Sequence, residues 1–412
     1  MATAEHSVGS GNTRDKAAIE SVGPASRPPR RIRGVLSLND FEDLARRHLP
    51  KPLFGYIAGA SETSSSLRQN ESSFQRYGFL PRVLTNVSAR STETELFGTA
   101  YSAPFGIAPM GIAALMAYRG DIVMATAAKD AGIPMIMSGS SLIRLEDVAG
   151  HAPATWFQAY LPGEPEKIDA LLDRVAAAGF KTLVLTVDTA TLANRENNVR
   201  AGFSTPLRPS LRLAWEGLSH PVWSLGTLAR TIFNYGIPHF ENSYATRGAP
   251  IISPNILRER GKRDHLDWSH FARIRERWAG TLIIKGLLHE DDAATAVEHG
   301  ADGIIVSNHG GRQLDGTIAP LAALPAIVNR VGSKTIVMLD SGIRRGTDVI
   351  KALALGAKFV FVGRPFLYAA AIGGEQGVIL AANILKTEIH RNMALLGVTR
   401  TEDISSRLLT SI

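Results

Sequence analysis

The sequence predicts an α/β protein folded as a (β/α)8 TIM barrel, with an N-terminal helical extension and a long insertion after the fourth strand. Three observations carry that prediction. From about residue 104, short apolar runs alternate with helical stretches eight times over. The runs are near-continuous rather than alternating, as expected of parallel strands covered on both faces. Several helical stretches also end on a glycine two to four residues before the next strand, at Gly132, Gly179, Gly300 and Gly356. That is a repeated C-cap signal. Strict alternation favours a closed barrel over a doubly wound open sheet. No G-x-G-x-x-G follows the first strand, so the fingerprint of a dinucleotide-binding open sheet is missing.

The elements run as follows. Residues 1–34 are rich in Ala, Ser, Gly, Pro and Arg without apolar periodicity, and read as a disordered N-terminal tail. Arg30–Arg31 is followed by no apolar stretch of the kind a twin-arginine signal needs, and the acids Glu5, Asp15 and Glu20 argue against a transit peptide. Residues 35–390 form the barrel unit. It opens with a helical pattern from Leu38 to His48, capped by Ser37 or Asn39. The strands are expected at 104–110, 134–139, 155–160, 182–188, 281–286, 302–308, 335–340 and 359–363, and the clearest helices at 119–131, 164–179, 289–299, 320–330 and 346–356. A segment from about 189 to 266 interrupts the repeat, its core being an insertion over 196–266. Loops of that length inside a domain are usually functional or mobile. Residues 391–412 read as a C-terminal tail.

Composition bounds the chemistry. Of 412 residues, 45% are hydrophobic and 20% charged, ordinary for a globular enzyme with a large core. Cysteine is absent, which excludes disulfides, thiolate nucleophiles and Cys-ligated metal centres. The formal charge of +7 suits an anionic ligand. No basic run with interleaved aromatics follows the head of the chain, so nucleic acid is not an expected partner. No apolar stretch is long enough to span a membrane as a helix.

Barrels of this kind carry catalytic groups at the C-terminal ends of their strands. Here those ends are polar almost throughout: Gln158 and Tyr160, Thr186 and Asp188, Lys285, then Ser307, Asn308 and His309, and finally Asp340, Gly342 and Arg344, Gly363 and Arg364. Each would be costly to bury without a partner. Gly342–Ile343–Arg344 and Gly363–Arg364 combine accessible backbone N–H groups with guanidinium groups after strands seven and eight, the usual phosphate position of the fold. Lys285 could be a Schiff-base lysine, an ion-pair member or a fixed charge beside an electron-accepting ring. His309 with Asp188 could be a base and its orienting carboxylate, and Arg195 and Arg312 could clamp a substrate carboxylate.

SNHGGRQLDG (307–316), with TVDT (186–189), KG (285–286) and DSGIRRGTDVIKALALGA (340–357), resembles the FMN-dependent 2-hydroxy-acid oxidases and dehydrogenases, the family of glycolate oxidase, L-lactate dehydrogenase and (S)-mandelate dehydrogenase. The resemblance extends over roughly 36–390. It implies FMN at the barrel mouth. Pro109, Met110 and Gly111 would run beside the flavin ring, with Ser138, Gln158 and Thr186 hydrogen-bonded to it and Lys285 at its N1–O2 edge. Ser307 and Asp340 would hold the ribityl chain, and the run Ser341, Gly342, Ile343, Arg344 with Gly363 and Arg364 the phosphate. Tyr56, Tyr160, Arg195 and Arg312 would bind substrate, and His309 would be the base.

The same resemblance implies oxidation of an L-2-hydroxy acid to the 2-oxo acid, with electrons passed to quinone or another acceptor, or to O2 with release of H2O2. It also implies a homotetramer. Gly111 stands where oxidases of the family commonly have Ala, which favours a dehydrogenase, and Ser140 stands where glycolate oxidase has Trp, which opens the pocket. Met110 replaces a frequent Thr. Within 205–245, aromatic and apolar residues mix with Arg212 and Arg230, and His220–Trp223 resembles a stretch of membrane-associated members. That segment is either a peripheral membrane contact or a lid or oligomer contact, so the expected location is the cytoplasm or the inner face of the cell membrane. A flavin-barrel isomerase of phosphorylated isoprenoids and a non-catalytic phosphate-binding barrel both leave His309 and the two arginines without a task.

Overall fold

The computed structural model describes residues 29–204, 206, 208, 210–253 and 263–412. Eight parallel strands form the central sheet: β1 (Phe105–Ile107), β2 (Ile136–Ser138), β3 (Trp156–Ala159), β4 (Thr182–Thr186), β5 (Thr281–Leu287), β6 (Gly303–Val306), β7 (Ile336–Asp340) and β8 (Phe359–Val362). Consecutive strands pair from β2 through β8, and β8 pairs with β1. The ring is nearly closed, joined at β1 and β2 by a parallel bridge between Ile107 and Met135. All eight expected strands are present, most of them one to four residues shorter than their apolar runs, while β5 extends one residue past its run to Leu287. Turn residues lengthen the run without entering the ladder.

The five expected helices also form, within a residue or two of the expected bounds, for example Gly120–Asp130 and Pro320–Val331. Gly132, Gly179, Gly300 and Gly356 all have positive φ, as helix-terminating glycines do. Differences lie at the ends. The helix Asp40–His48 has no side-chain cap from Ser37 or Asn39. Asp40 instead ties down the preceding turn, its carboxylate accepting from the backbone N–H groups of Leu36 and Ser37 and from the Ser37 hydroxyl. Most of the N-terminal tail, residues 1–28, lies outside the described residues. Residues 30–32 form a 3-10 turn that buries Ile32 in the core. The C-terminal stretch from 391 is not a loose tail: the last helix runs Arg364–Leu396, and the strand Leu409–Ser411 returns to pair antiparallel with Tyr77–Phe79.

The apolar residues fall into two clusters. One packs the helices onto the outside of the strands. The other fills the barrel and includes Ile136, Trp156, Val184, Ile283, Ile305, Met338, Phe359 and Phe361. Side chains two apart on a strand share a face. The next interior positions toward the C-terminal ends are therefore Ser138, Gln158, Thr186, Lys285, Ser307 and Asp340, all of them buried. An apolar plug thus gives way to a polar ring one layer higher, and that step places the site.

Candidate active site

The register brings ring members side by side. Ser138 is paired with Gln158 across β2 and β3, and Thr186 with Lys285 across β4 and β5. The Ser138 hydroxyl donates to Gln158 Oε1 at 3.1 Å. Lys285 Nζ donates to Ser307 Oγ at 2.8 Å and lies 3.1 Å from Asp340 Oδ2. Burial pulls its ammonium toward the neutral form, but Asp340 and Asp188 outweigh that and raise its pKa. Lys285 is a fixed cation, which removes the Schiff-base alternative. Two atoms of the ring, Gln158 Nε2 and Thr186 Oγ1, are buried without a hydrogen-bond partner. Buried polar atoms of this kind mark a place where a ligand completes the network.

Above the ring lies an open cleft. Pro109, Met110, Gly111, Thr186, Lys285 and Asp340 line it, as do Ser341, Gly342, Ile343, Arg344, Gly363 and Arg364 at its far end. Tyr56, Tyr160, Arg195, His309 and Arg312 line the near end. The predicted residues therefore converge on one space, with Ser138, Gln158 and Ser307 buried beneath it and Asp188 largely shielded beside His309.

The His309 ring donates from Nδ1 to Asp188 Oδ1 at 2.9 Å, leaving Nε2 3.4 Å from the Tyr160 hydroxyl. Burial holds the imidazole below its usual range, against the opposing charge and hydrogen bond of Asp188. Burial works to raise Asp188, but the charges of His309 and Lys285 and the His309 hydrogen bond leave it below the ordinary carboxylate range. The result is a neutral imidazole whose proton sits on Nδ1 and whose Nε2 can accept one. The backbone supports this placement at some cost: His309 has φ 58°, followed by Gly310 and Gly311 in the same left-handed region. Gly286 has φ 109°, and a Cβ there would lie 2.8 Å from Asp188 Cβ. Only glycine lets the end of β5 pass so close to that carboxylate.

Arg312 Nη1 donates to the carbonyls of Tyr56 and Gly59 at 2.6 and 2.8 Å, and its guanidinium lies 4.8 Å from the Tyr56 ring centre. Its Nη2 is buried without a partner. Burial, with Arg195 nearby, lowers the group to about 9, so it is cationic at neutral pH. Arg195 donates to the Arg312 carbonyl and to Gln313 Oε1. An anion clamp is the natural task of this pair.

At the far end two guanidinium groups have partners that the sequence does not reveal. Arg364 donates to the carbonyls of Ile57, Gly59 and Gly310, and Arg344 to Glu71 and to its own neighbour Ile343. Sequence reasoning also missed Gln313 and Arg263. Gln313 lies inside the quoted motif, and its side chain donates to the Asp188 carbonyl at 2.9 Å. Arg263 closes the insertion, lines the cleft and carries no local motif that marks it.

A family model for FMN-dependent dehydrogenases matches residues 45–411. This chain belongs to that family. It is an FMN-dependent 2-hydroxy-acid dehydrogenase, an enzyme acting on CH–OH donors. An L-lactate dehydrogenase of Pectobacterium atrosepticum is 39% identical over 385 residues, 92% of this chain and 97% of that one. An (S)-mandelate dehydrogenase of Pseudomonas putida is 35% identical over 364 residues, 88% of this chain and 91% of that one. Among solved structures, the monotopic membrane protein (S)-mandelate dehydrogenase matches with a TM-score of 0.86 at 34% identity, over 92% of this chain and 100% of that one.

The cleft of this FMN-dependent dehydrogenase fits its cofactor. The unpaired Gln158 Nε2 and Thr186 Oγ1 would be available to the polar edge of a flavin ring, and Lys285 would supply a positive charge to it. The end built from Gly342, Ile343 and Gly363, where the last helix begins, would hold its phosphate. Among the described residues no helix is long and apolar enough to cross a membrane.

Proposed function

We propose that the enzyme oxidises an L-2-hydroxy acid to the 2-oxo acid and passes the electrons to a quinone. One observation carries the reading. A neutral imidazole braced by Asp188 and a buried Arg312 nitrogen without a partner line one cleft, above the ring that receives the flavin. When bound, FMN supplies the two-electron acceptor. The protein does the rest. Arg312 and Arg195 take the substrate carboxylate, so a small molecule is oriented by its charge rather than by contact area. His309 Nε2 accepts a proton from the 2-carbon or its hydroxyl, and Asp188 stabilises the imidazolium that results. Tyr160 stands within hydrogen-bond range of the same nitrogen and can hold the substrate hydroxyl. Lys285 offsets the negative charge that arrives on the ring.

The quinone assignment is supported by the insertion. The helix Leu211–Ser219 buries none of its residues. Leu211, Trp215 and Leu218 share one exposed face, while Arg212 ties the helix to the carbonyls of Arg200 and Ala201. Leu225 and Phe233, later in the insertion, are also exposed, Phe233 to 90%. Exposed apolar residues on an anchored helix suit a membrane interface, and a structural relative is a monotopic membrane protein.

Anaerobic bleaching of the flavin near 450 nm by a panel of L- and D-2-hydroxy acids tests the reaction. Bleaching by D acids alone, or by none, rejects it. Electron delivery to a quinone analogue against formation of H2O2 in air separates a dehydrogenase from an oxidase. For the membrane contact, a variant with Leu211, Trp215, Leu218 and Phe233 all changed to Ser is expected in the soluble fraction. An unaltered protein already wholly soluble would end that part of the proposal.

A further inference from the structure

His309 sits in a loop that has to be held in place. His309, Gly310 and Gly311 all have positive φ, a conformation that a histidine keeps only where its surroundings over-determine it. Each backbone N–H of that loop is taken by a side-chain oxygen. Ser307 Oγ accepts from His309 at 3.0 Å, Ser341 Oγ from Gly310 at 3.0 Å, and Asn308 Oδ1 from Gly311 at 3.1 Å. Both serines are tied into the polar ring, Ser307 to Lys285 and Ser341 to Asp340. Asn308 is tied outside the barrel. Its amide lies face to face with that of Asn70: Asn70 Nδ2 donates to Asn308 Oδ1 at 2.8 Å, and Asn308 Nδ2 donates back to Asn70 Oδ1 at 2.7 Å. Both residues are buried.

Asn70 belongs to the helix Ser65–Ser72, part of the extension that precedes the barrel. That helix lies directly on the loop. A Cβ on Gly311 would come within 2.6 Å of Leu67 N, and one on Gly342 would overlap the Asn70 carbonyl. The amide pair also sets a direction, because an amide donates at one end and accepts at the other. Asn308 must turn its oxygen toward the Gly311 N–H, and Asn70 offers its NH2 group to that same oxygen. Turned over, Asn308 would set its own NH2 against both donors, a mismatch that is costly in a buried site. Asn70 therefore selects the orientation of Asn308 that holds the loop. We propose that Asn70 is a positioning residue for the reaction: through Asn308 it fixes His309–Gly311, and so keeps the imidazole in line between Asp188 and the substrate. The proposal rests on the reading of His309 as the base. The competing role is a staple that joins the extension to the barrel and contributes stability alone.

Limiting rates of anaerobic flavin bleaching by the best L-2-hydroxy acid, measured on the full chain loaded with FMN, make the test. They are compared for the unaltered enzyme, Asn70→Ala, His309→Ala and the double variant, with flavin content and thermal melting recorded for each. Asn70→Ala is expected to keep its FMN and to lower the limiting rate about ten- to a hundredfold, the range for a reacting group displaced by about an ångström. In the His309→Ala background the same substitution should change the rate by less than about twofold, since no imidazole is left to misplace. A staple gives another pattern: a lower melting temperature, with the rate of the flavin-loaded enzyme unchanged. An Asn70→Ala enzyme full of flavin and bleached at a near-normal rate therefore overturns the proposal. So does an equal loss of rate with and without His309, which would place the effect elsewhere in the site. If Asn70→Ala does not fold, Asn70→Ser, which leaves a polar group in the space, replaces it in the same comparison. If His309→Ala itself is bleached at a near-normal rate, the broader functional reading has failed first and the proposal falls with it.

Discussion

Replacing Asp188 by Asn keeps the shape of the side chain and removes its charge. In the folded enzyme that carboxylate accepts from His309 Nδ1 at 2.9 Å, and both side chains are largely shielded from solvent. The pair matters most once His309 holds the substrate proton, because the imidazolium then faces a full negative charge. Two unit charges about 4 Å apart in an effective dielectric near 20 attract by roughly 4 kcal/mol. At 1.36 kcal/mol per decade, that loss lowers the reduction rate by about a thousandfold. The amide can also present its NH2 group to Nδ1 and trap the wrong tautomer, which acts in the same direction. The assay is anaerobic stopped-flow bleaching of the bound flavin by a saturating L-2-hydroxy acid, with flavin content measured first. Asp188 does not line the cofactor end of the cleft, so FMN should be retained. A fall of less than about tenfold, with the flavin in place, would refute the account of how His309 is held.

The same pair sets the pH dependence. Burial depresses the His309 pKa below the ordinary 6.5 and Asp188 partly restores it, so kcat/KM should fall only as pH drops below 6.5. In Asp188→Asn the restoring charge is gone and that acid limb should move to still lower pH. An unmoved limb would assign it to another group. Gly286→Ala places a Cβ 2.8 Å from Asp188 Cβ at a positive φ. It should cost about 1–3 kcal/mol of stability by thermal melt and slow flavin reduction while FMN stays bound. Lys285→Met strands the Asp340 carboxylate in a buried site, so stability should fall by about 3–5 kcal/mol and flavin content should drop. Arg312→Lys keeps charge but cannot both hold the Tyr56 and Gly59 carbonyls and offer a second nitrogen to substrate. Its KM should rise about tenfold or more, and an unchanged KM would remove Arg312 from the clamp.

The barrel was legible because parallel strands covered on both faces leave continuous apolar runs, and because glycine is the residue that ends a helix in the left-handed region. The site was legible for a related reason. A polar residue two positions beyond an interior Ile, Val or Met on a strand has to sit above the apolar plug, and Thr186, Lys285, Ser307 and Asp340 all obey that spacing. What the sequence hid is non-local. Arg344 and Arg364 read as free phosphate ligands, yet Glu71 and the carbonyls of Ile57 and Gly59, far earlier in the chain, take part of each guanidinium. Arg263 acquires meaning only beside Tyr160, which another strand delivers. The last helix, Arg364–Leu396, was not among the expected helices, and the barrel unit was ended at 390, inside it. Gly374 does leave helical geometry, and the helix resumes beyond it to Leu396. The return of Leu409–Ser411 to Tyr77–Phe79 has no local signal, since a three-residue edge strand is too short for a period to register.

The most direct test is His309→Ala, purified with FMN and mixed anaerobically with the best L-2-hydroxy acid. Full flavin content with bleaching slowed by at least ~10²-fold is the predicted outcome, the contribution expected of a positioned base. Bleaching at a near-normal rate would mean that the proton leaves by another path, and that the convergence of His309, Asp188 and Arg312 on this cleft is not what drives the reaction.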